Sequence, residues 1–169
     1  MAVSTQISVD EYLSTSYRPD CDYVDGEVLE RNLGERDHSR PQGLICAFFF
    51  NREKEWRIVV LPGQRVQVKS HRFRIPDVCV LRDDAPDEQI VTAPPLICIE
   101  ILSKDDTFKS VTERLDDYVS MGVPNIWVID PHKQRAYTYD ATGTMEARNG
   151  ELRVPDSNIA IPLASIFEA

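Results

Sequence analysis

Two short apolar runs, each carrying one carboxylate, constrain this chain more than any other feature. Arg74-Ile75-Pro76-Asp77-Val78-Cys79-Val80-Leu81 has Asp77 at its mouth, and Pro94-Pro95-Leu96-Ile97-Cys98-Ile99-Glu100-Ile101-Leu102 has Glu100 inside an otherwise apolar stretch. Short apolar runs bounded by turn residues read as buried strands. A carboxylate inside such a strand is costly unless something pairs with it or coordinates it. Two such strands side by side would set two carboxylates at one end of a sheet, which is how a hard divalent cation is held.

The surrounding pattern supplies the rest of an α/β fold. Ser8-Val9-Asp10-Glu11 is a capping box opening a helix to about Tyr17. Asp25-Gly26 between Tyr23-Val24 and Val28-Leu29 predicts a hairpin. Residues 33–41, with Gly34 and Pro41, read as a loop, and Gln42 to Trp56 as a helix with the stripe Leu44, Ile45, Phe48 and Phe49. Strands are expected over Arg57–Leu61, Arg65–Lys69 and Arg74–Leu81, with a loop over 82–95. Leu96–Leu102 suits the centre of a sheet covered on both faces. Ser110–Met121 reads as a helix with a Ser110/Glu113 capping box, the stripe Val111, Leu115 and Tyr118, and Gly122 as C-cap before Pro124. Strands follow at Asn125–Asp130 and Gln134–Tyr139, turns at Thr142-Gly143 and Asn149-Gly150, then an edge segment and short helix over Ile161–Phe167. Strand, helix and strand over 96–130 form a βαβ unit, so the mixed sheet contains a right-handed parallel crossover.

A chain of 169 residues is read as one domain, 1–169, with room for its own core. No run approaches the ~18 apolar residues of a membrane helix, and Met1–Gln6 lacks the pattern of a secretion signal. Cys21, Cys46, Cys79 and Cys98 are scattered with no close pair in sequence, which fits a reducing, cytoplasmic setting without a zinc site. The net charge of −9 argues against a non-specific nucleic-acid coat, although Arg65, Lys69, Arg72 and Arg74 form a locally basic stretch.

The ordered set Tyr23-Val24-Asp25-Gly26-Glu27, Arg74-Ile75-Pro76-Asp77-Val78, Pro95 to Ser103, Leu115-Asp116-Asp117-Tyr118 and Gly122 to Pro131 resembles the PD-(D/E)xK nuclease superfamily. More closely, it resembles the bacterial Uma-type family of restriction-endonuclease-like proteins, over roughly residues 20–140. The resemblance implies a restriction-endonuclease-like mixed β-sheet flanked by helices, with an N-terminal helix and hairpin in front. It implies Mg²⁺, with Mn²⁺ as substitute, held by Asp77, Glu100 and a carbonyl such as that of Ile101. It implies DNA as substrate and a homodimer, with no membrane and no organic cofactor. The superfamily's lysine two residues after the glutamate is Leu102 here; the family's alternative lysine falls on Arg114, and a usual acidic position falls on Ser110. Arginine cannot act as a general base but stabilises a phosphoryl oxygen.

The residues assigned to chemistry are therefore Asp77, Glu100, Arg114 and Lys104, with Lys109 as a substitute and Arg65–Arg74 as the backbone-tracking stretch. Each has a structural alternative. Asp77 after Pro76 can cap a turn, Glu100 can form a buried salt bridge with Arg114 itself, and Arg114 can cover apolar surface with its stem. Lys104, Asp105 and Asp106 read as a solvated loop, and Arg65–Arg74 can equally be a solvated hairpin. His38, Glu27 and Glu30 are candidates for a further acidic-type position and read as structural or surface groups. Trp127 reads as core, and His71 and His132 lack metal-ligand spacing. The functions in competition are a Mg²⁺-dependent endonuclease, a decayed nuclease fold that binds nucleic acid or a partner, and a metal-dependent hydrolase of a small phosphate ester.

Overall fold

The structure, a computed structural model, describes residues 6–32 and 34–167. Most of the Met1–Gln6 stretch weighed as a secretion signal lies outside the described residues, as do Leu33 of the expected 33–41 loop and residues 168–169. The elements run α1 (Val9–Ser14), β1 (Asp22–Val24), β2 (Glu27–Leu29), α2 (Arg36–Phe50), α3 (Glu53–Trp56), β3 (Ile58–Pro62), β4 (Val66–Lys69), β5 (Arg72–Arg74) and β6 (Val78–Arg82). They continue with β7 (Ile97–Ile101), α4 (Phe108–Met121), β8 (Asn125–Asp130), β9 (Arg135–Asp140), β10 (Gly143–Glu146), β11 (Glu151–Arg153), β12 (Ala160–Pro162) and α5 (Ala164–Phe167). A six-stranded sheet has the order β10-β9-β8-β7-β6-β3, a four-stranded sheet the order β2-β1-β5-β4, and β11 pairs with β12. Among the described residues β7 and β8 are the one pair of named strands running parallel, joined by α4 as the βαβ pattern predicts. Among the described residues no helix is long and apolar enough to cross a membrane.

The large sheet is mixed and covered on both faces. Against one face α2 and α3 set Ile45, Phe49 and Trp56 on Val78, Val80, Ile97, Ile99, Ile101 and the buried Trp127. Against the other, Leu115 and Tyr118 of α4 meet Cys79, Cys98, Ile126 and Val128. This two-sided burial is why β7 reads as a nearly continuous apolar run. A separate cluster of Tyr12, Tyr23 and Phe73 joins α1 to the small sheet. The hairpin turn has Asp25 at φ 49° and Gly26 at φ 101°, the left-handed pair that suits a tight two-residue turn.

Several expected boundaries move. Helix α1 stops at Ser14 rather than about Tyr17, because the Ser14 and Thr15 hydroxyls both donate to the Glu11 carbonyl and Thr15 turns extended. Helix α2 begins at Arg36, not Gln42, and carries Pro41 inside it. Pro41 is its sixth residue, just past the opening turn whose N–H groups have no helical partner, so the ring removes a single bond. The same helix ends at Phe50, and Glu53–Trp56 is a separate short one. The expected strand Arg74–Leu81 is two strands in two sheets. Pro76 lacks an N–H, and the N–H of Ile75 donates to the Asp22 side chain at 3.1 Å instead of to a strand.

Helix α4 starts two residues earlier than expected, with Thr107 as its cap and Ser110 as the reciprocal partner three residues on. The Ser110/Glu113 box is thus replaced by Thr107/Ser110. Gly122 does end the helix, at φ 93°. A Cβ there would meet only Pro94 Cγ, at 3.8 Å. Gly122→Ala is therefore expected to cost about 1 kcal/mol from backbone conformation alone, read as a small drop in thermal midpoint.

Candidate active site

Strands β6 and β7 pair antiparallel with Val78 opposite Ile99 and Cys79 opposite Cys98. Continued by one residue, that register sets Asp77 across from Glu100. Side chains alternate along a strand. Ile97, Ile99 and Ile101 accordingly enter the layer beneath α2, while Cys98 and Glu100 face α4. Both carboxylates are buried, Asp77 at 0% and Glu100 at 1% exposure. Cys79 and Cys98, distant in sequence, are neighbours in space, and all four cysteines are free and buried.

Asp77 is held from several directions. Arg31 Nη2 donates to Oδ1 at 2.6 Å, His38 Nε2 lies 3.2 Å from Oδ2, and the Ile101 N–H donates to Oδ2 at 2.7 Å. Gln42 Nε2 donates to the Asp77 carbonyl at 2.8 Å. His38 and Gln42 stand four apart on α2, so one helix face grips the aspartate by side chain and backbone together. Glu100 accepts from the Tyr118 hydroxyl at 2.6 Å, and Arg114 Nε lies 3.5 Å from its second oxygen. Arg114 also reaches Asp106 at 3.2 Å.

Behind these lies a second buried ion-pair group. Arg74 Nε donates to Asp117 Oδ2 at 2.8 Å and Nη1 to Asp22 Oδ2 at 3.1 Å. Asp117 further pairs with Arg72 at 3.0 Å and Lys69 at 3.5 Å, and Asp22 stands 3.8 Å from Arg31 Nε. Opposite charges therefore alternate from Asp117 through Arg74, Asp22 and Arg31 to Asp77.

The residues expected from sequence divide as follows. Asp77, Glu100, Ile101 and Arg114 come together. Lys104 is exposed and its Nζ sits on Glu35 at 2.5 Å, at the rim. Lys109, Asp105, Glu27 and Glu30 are exposed, and Leu102 packs partly against the α4 layer. Asp106, expected as solvated loop, receives Arg114 and the Ser103 N–H. His38, expected as structural or surface, is buried against Asp77. The basic stretch is engaged by the protein's own acids. Arg65 pairs with Asp20 at 2.6 Å, Lys69, Arg72 and Arg74 pair with Asp117, and Arg74 is buried.

Sequence reasoning missed Arg31, Gln42, Tyr118, Asp22, Arg74 and Asp117 as parts of this cluster. Tyr118 carried a usable signal, since a buried tyrosine hydroxyl needs a partner. Gln42 and His38 would have emerged as a pair had the helix been started before Pro41.

Burial alone would raise the Asp77 carboxyl, but the His38 hydrogen bond and the Arg31 charge outweigh it and hold Asp77 below the ordinary aspartate range. Glu100 goes the other way. Burial, helped by the Asp77 charge, pushes it up to about 7 against the opposing pull of Arg114, Arg31 and Tyr118. Burial lowers His38, yet the Asp77 hydrogen bond and charge win and raise it. Two facing carboxylates in unlike environments are thus set apart in acidity, a pattern common at functional sites.

A cavity of about 170 Å³ opens on the outer side of Arg31 and His38, lined also by Ser103 and Lys104 and by the acids Glu35, Asp37 and Asp105. Ser103 Oγ and Arg114 Nε are buried without a hydrogen-bond partner. Among the described residues no three His, Cys, Asp or Glu side chains gather as a closed metal cage. Mg²⁺ does not need one: it is commonly held by one or two carboxylates with water and substrate phosphate completing its shell. The donor set of Asp77, Glu100 and a strand-end carbonyl fits such an ion.

The comparisons agree with this fold. No curated protein matches the sequence significantly. A crystal structure described as a putative nuclease belonging to DUF820, from Anabaena variabilis, superposes with a TM-score of 0.84 at 21% identity. The match covers 96% of this chain and 98% of that one, and at this identity it establishes a shared fold. The Uma2 family, described as "Putative restriction endonuclease", matches residues 9–162, and with that match the chain belongs to the Uma2 family, on a restriction-endonuclease-like fold.

Proposed function

We propose that this protein is a Mg²⁺-dependent endonuclease hydrolysing phosphodiester bonds in DNA, built as one domain over residues 1–169 and working as a cytoplasmic homodimer. The observation that carries the reading is the cross-strand rung of Asp77 and Glu100, with Arg31 and His38 on Asp77 forming the wall of a polar cavity of mixed charge, on a nuclease-family fold. Asp77, Glu100 and the Ile101 carbonyl would hold the cation. When bound, it would polarise the scissile phosphate and make a water more acidic. The chain's own residues do the remaining work. Arg114, fixed between Glu100 and Asp106, supplies permanent positive charge and no proton acceptor. Lys104 at the rim would meet phosphate oxygens. His38 and Gln42 orient Asp77. Leu102 supplies no basic group where the superfamily has lysine, so slow turnover is expected.

A second reading, the decayed fold acting as a binding module, draws on one specific observation. Both carboxylates are buried and already matched by arginines. Plasmid nicking in Mg²⁺ or Mn²⁺, with calorimetric metal titration on the same samples, separates the two. Wild type is expected to nick, and Asp77→Asn and Glu100→Ala to lose roughly 100-fold or more along with the metal heat. Neither heat nor nicking from wild type at millimolar metal would leave the binding module standing.

A further inference from the structure

We propose that Arg31 is a movable counter-ion, which occupies the cation position on Asp77 in the free protein and transfers to the incoming phosphate when metal and nucleic acid bind. The inference rests on the nuclease reading of this site and adds how the site is kept and then opened.

Besides the partly exposed Arg72 on Asp117, three guanidinium groups touch the buried acid cluster, and they are not equivalent. Arg74 belongs to β5 and bridges two buried aspartates. Arg114 belongs to α4 and is fixed between Glu100 and Asp106. Arg31 lies outside every helix and strand, in the segment between β2 and α2, so no sheet or helix bond has to break for its side chain to turn. Of the three, only Arg31 lines the cavity. Its guanidinium stands 2.6 Å from Asp77 Oδ1 and is itself 9% exposed over a carboxylate that is 1% exposed. Arg31 is the lid on that oxygen.

A divalent cation on the same oxygen would face the guanidinium at close range, and like charges in a poorly solvated site repel strongly. The ion enters only as Arg31 leaves. Leaving for water strands a cation that was half-paired with Asp22 as well. Leaving for a phosphate does not, because a planar guanidinium binds phosphate oxygens in bidentate fashion. The cavity that receives Arg31 carries His38 and the unpartnered Ser103 Oγ on its wall, donors suited to the same anion, while Glu35, Asp37 and Asp105 on the same wall make a metal ion necessary for an anion to settle there. Metal and nucleic acid would then favour each other's binding, and the linkage is reciprocal.

The test uses Arg31→Met, which keeps the stem and removes the charge, with Arg31→Gln as the second variant should the first fail to fold. Mn²⁺ is titrated calorimetrically into each full-length protein, and binding of a fluorescent, phosphorothioate-protected DNA duplex is measured separately at saturating Mn²⁺. The expected result is a pair of opposed shifts: Mn²⁺ binding roughly tenfold tighter than wild type, duplex binding roughly tenfold weaker. Structural damage would weaken both. Mn²⁺ binding that is lost in Asp77→Asn but unchanged or weaker in the folded Arg31 variants overturns the role of Arg31 and leaves the metal site intact. No Mn²⁺ heat from any of the proteins overturns the metal reading of the site and the inference with it.

Discussion

Arg74→Met is expected to cost about 3–5 kcal/mol of folding stability, the usual consequence of deleting one partner of a buried ion pair. The side chain is 2% exposed and bridges Asp117 and Asp22, themselves 2% and 4% exposed. Asp117 keeps Arg72 and Lys69, but Asp22 is left with Arg31 at 3.8 Å and the Ile75 N–H. A carboxylate so placed must stay charged with little compensation or take up a proton. For a chain of this size the loss corresponds to a thermal midpoint lower by roughly 6–20 °C. Arg74→Met combined with Asp22→Asn and Asp117→Asn should recover much of it, since neutralising the whole group removes the stranded charge. A single variant melting within about 2 °C of wild type would show that the ion pairs bring little to the fold. The network is not ideally satisfied even in the native protein, because Arg74 Nη2 is buried without a partner.

Glu100→Gln is expected to change stability in opposite directions at the two ends of the pH range. Glu100 is pushed up to about 7 from an ordinary 4.5, mainly by burial. Between those values the folded protein holds a proton that the unfolded chain has released. Stability from this group is therefore complete below about pH 4.5 and is lost as pH rises through about 7. Gln cannot ionise, so the variant escapes that loss. Relative to wild type it should gain on the order of 3 kcal/mol between pH 4.5 and pH 8. It pays at every pH for a poorer fit to Arg114 and Tyr118. Urea unfolding in EDTA at the two pH values, with EDTA excluding metal linkage, gives the comparison. A gap independent of pH would mean that Arg114 and Tyr118 keep Glu100 ionised throughout.

Most of the fold follows from features confined to a few neighbouring residues. The Asp25-Gly26 hairpin, the β7–α4–β8 crossover and the Gly122 cap are all signalled locally, by turn chemistry or by periodicity. What fails is decided at a distance. Pro41 reads as a loop residue until a buried aspartate 36 positions later rewards a helix that presents His38 and Gln42 together. Arg74–Leu81 reads as one strand, because nothing local reveals that Asp22 draws off the Ile75 N–H and hands the chain from one sheet to another. At the site, Asp77 and Glu100 were legible because an acid in an apolar strand is conspicuous. Arg31, Asp22 and Asp117 were not, because charged residues in polar segments usually face water. The basic run from Arg65 to Arg74 shows the same limit: local charge is visible in sequence, and its pairing with Asp20 and Asp117 is not.

Asp77 and Glu100 are one rung of a ladder whose two rails are joined by residues 83–96, a long connection at the far end of the strands. Insertions or losses in that connection leave the rung where it is, whereas a single residue gained or lost inside either rail turns one carboxylate to the opposite face. The molecule can therefore drift in the length and composition of the exposed parts of that connection, around the anchored Val91 and the buried Leu96, while its chemistry stays in place. Lineages of this chain should differ most where the two strands are joined and least where they touch.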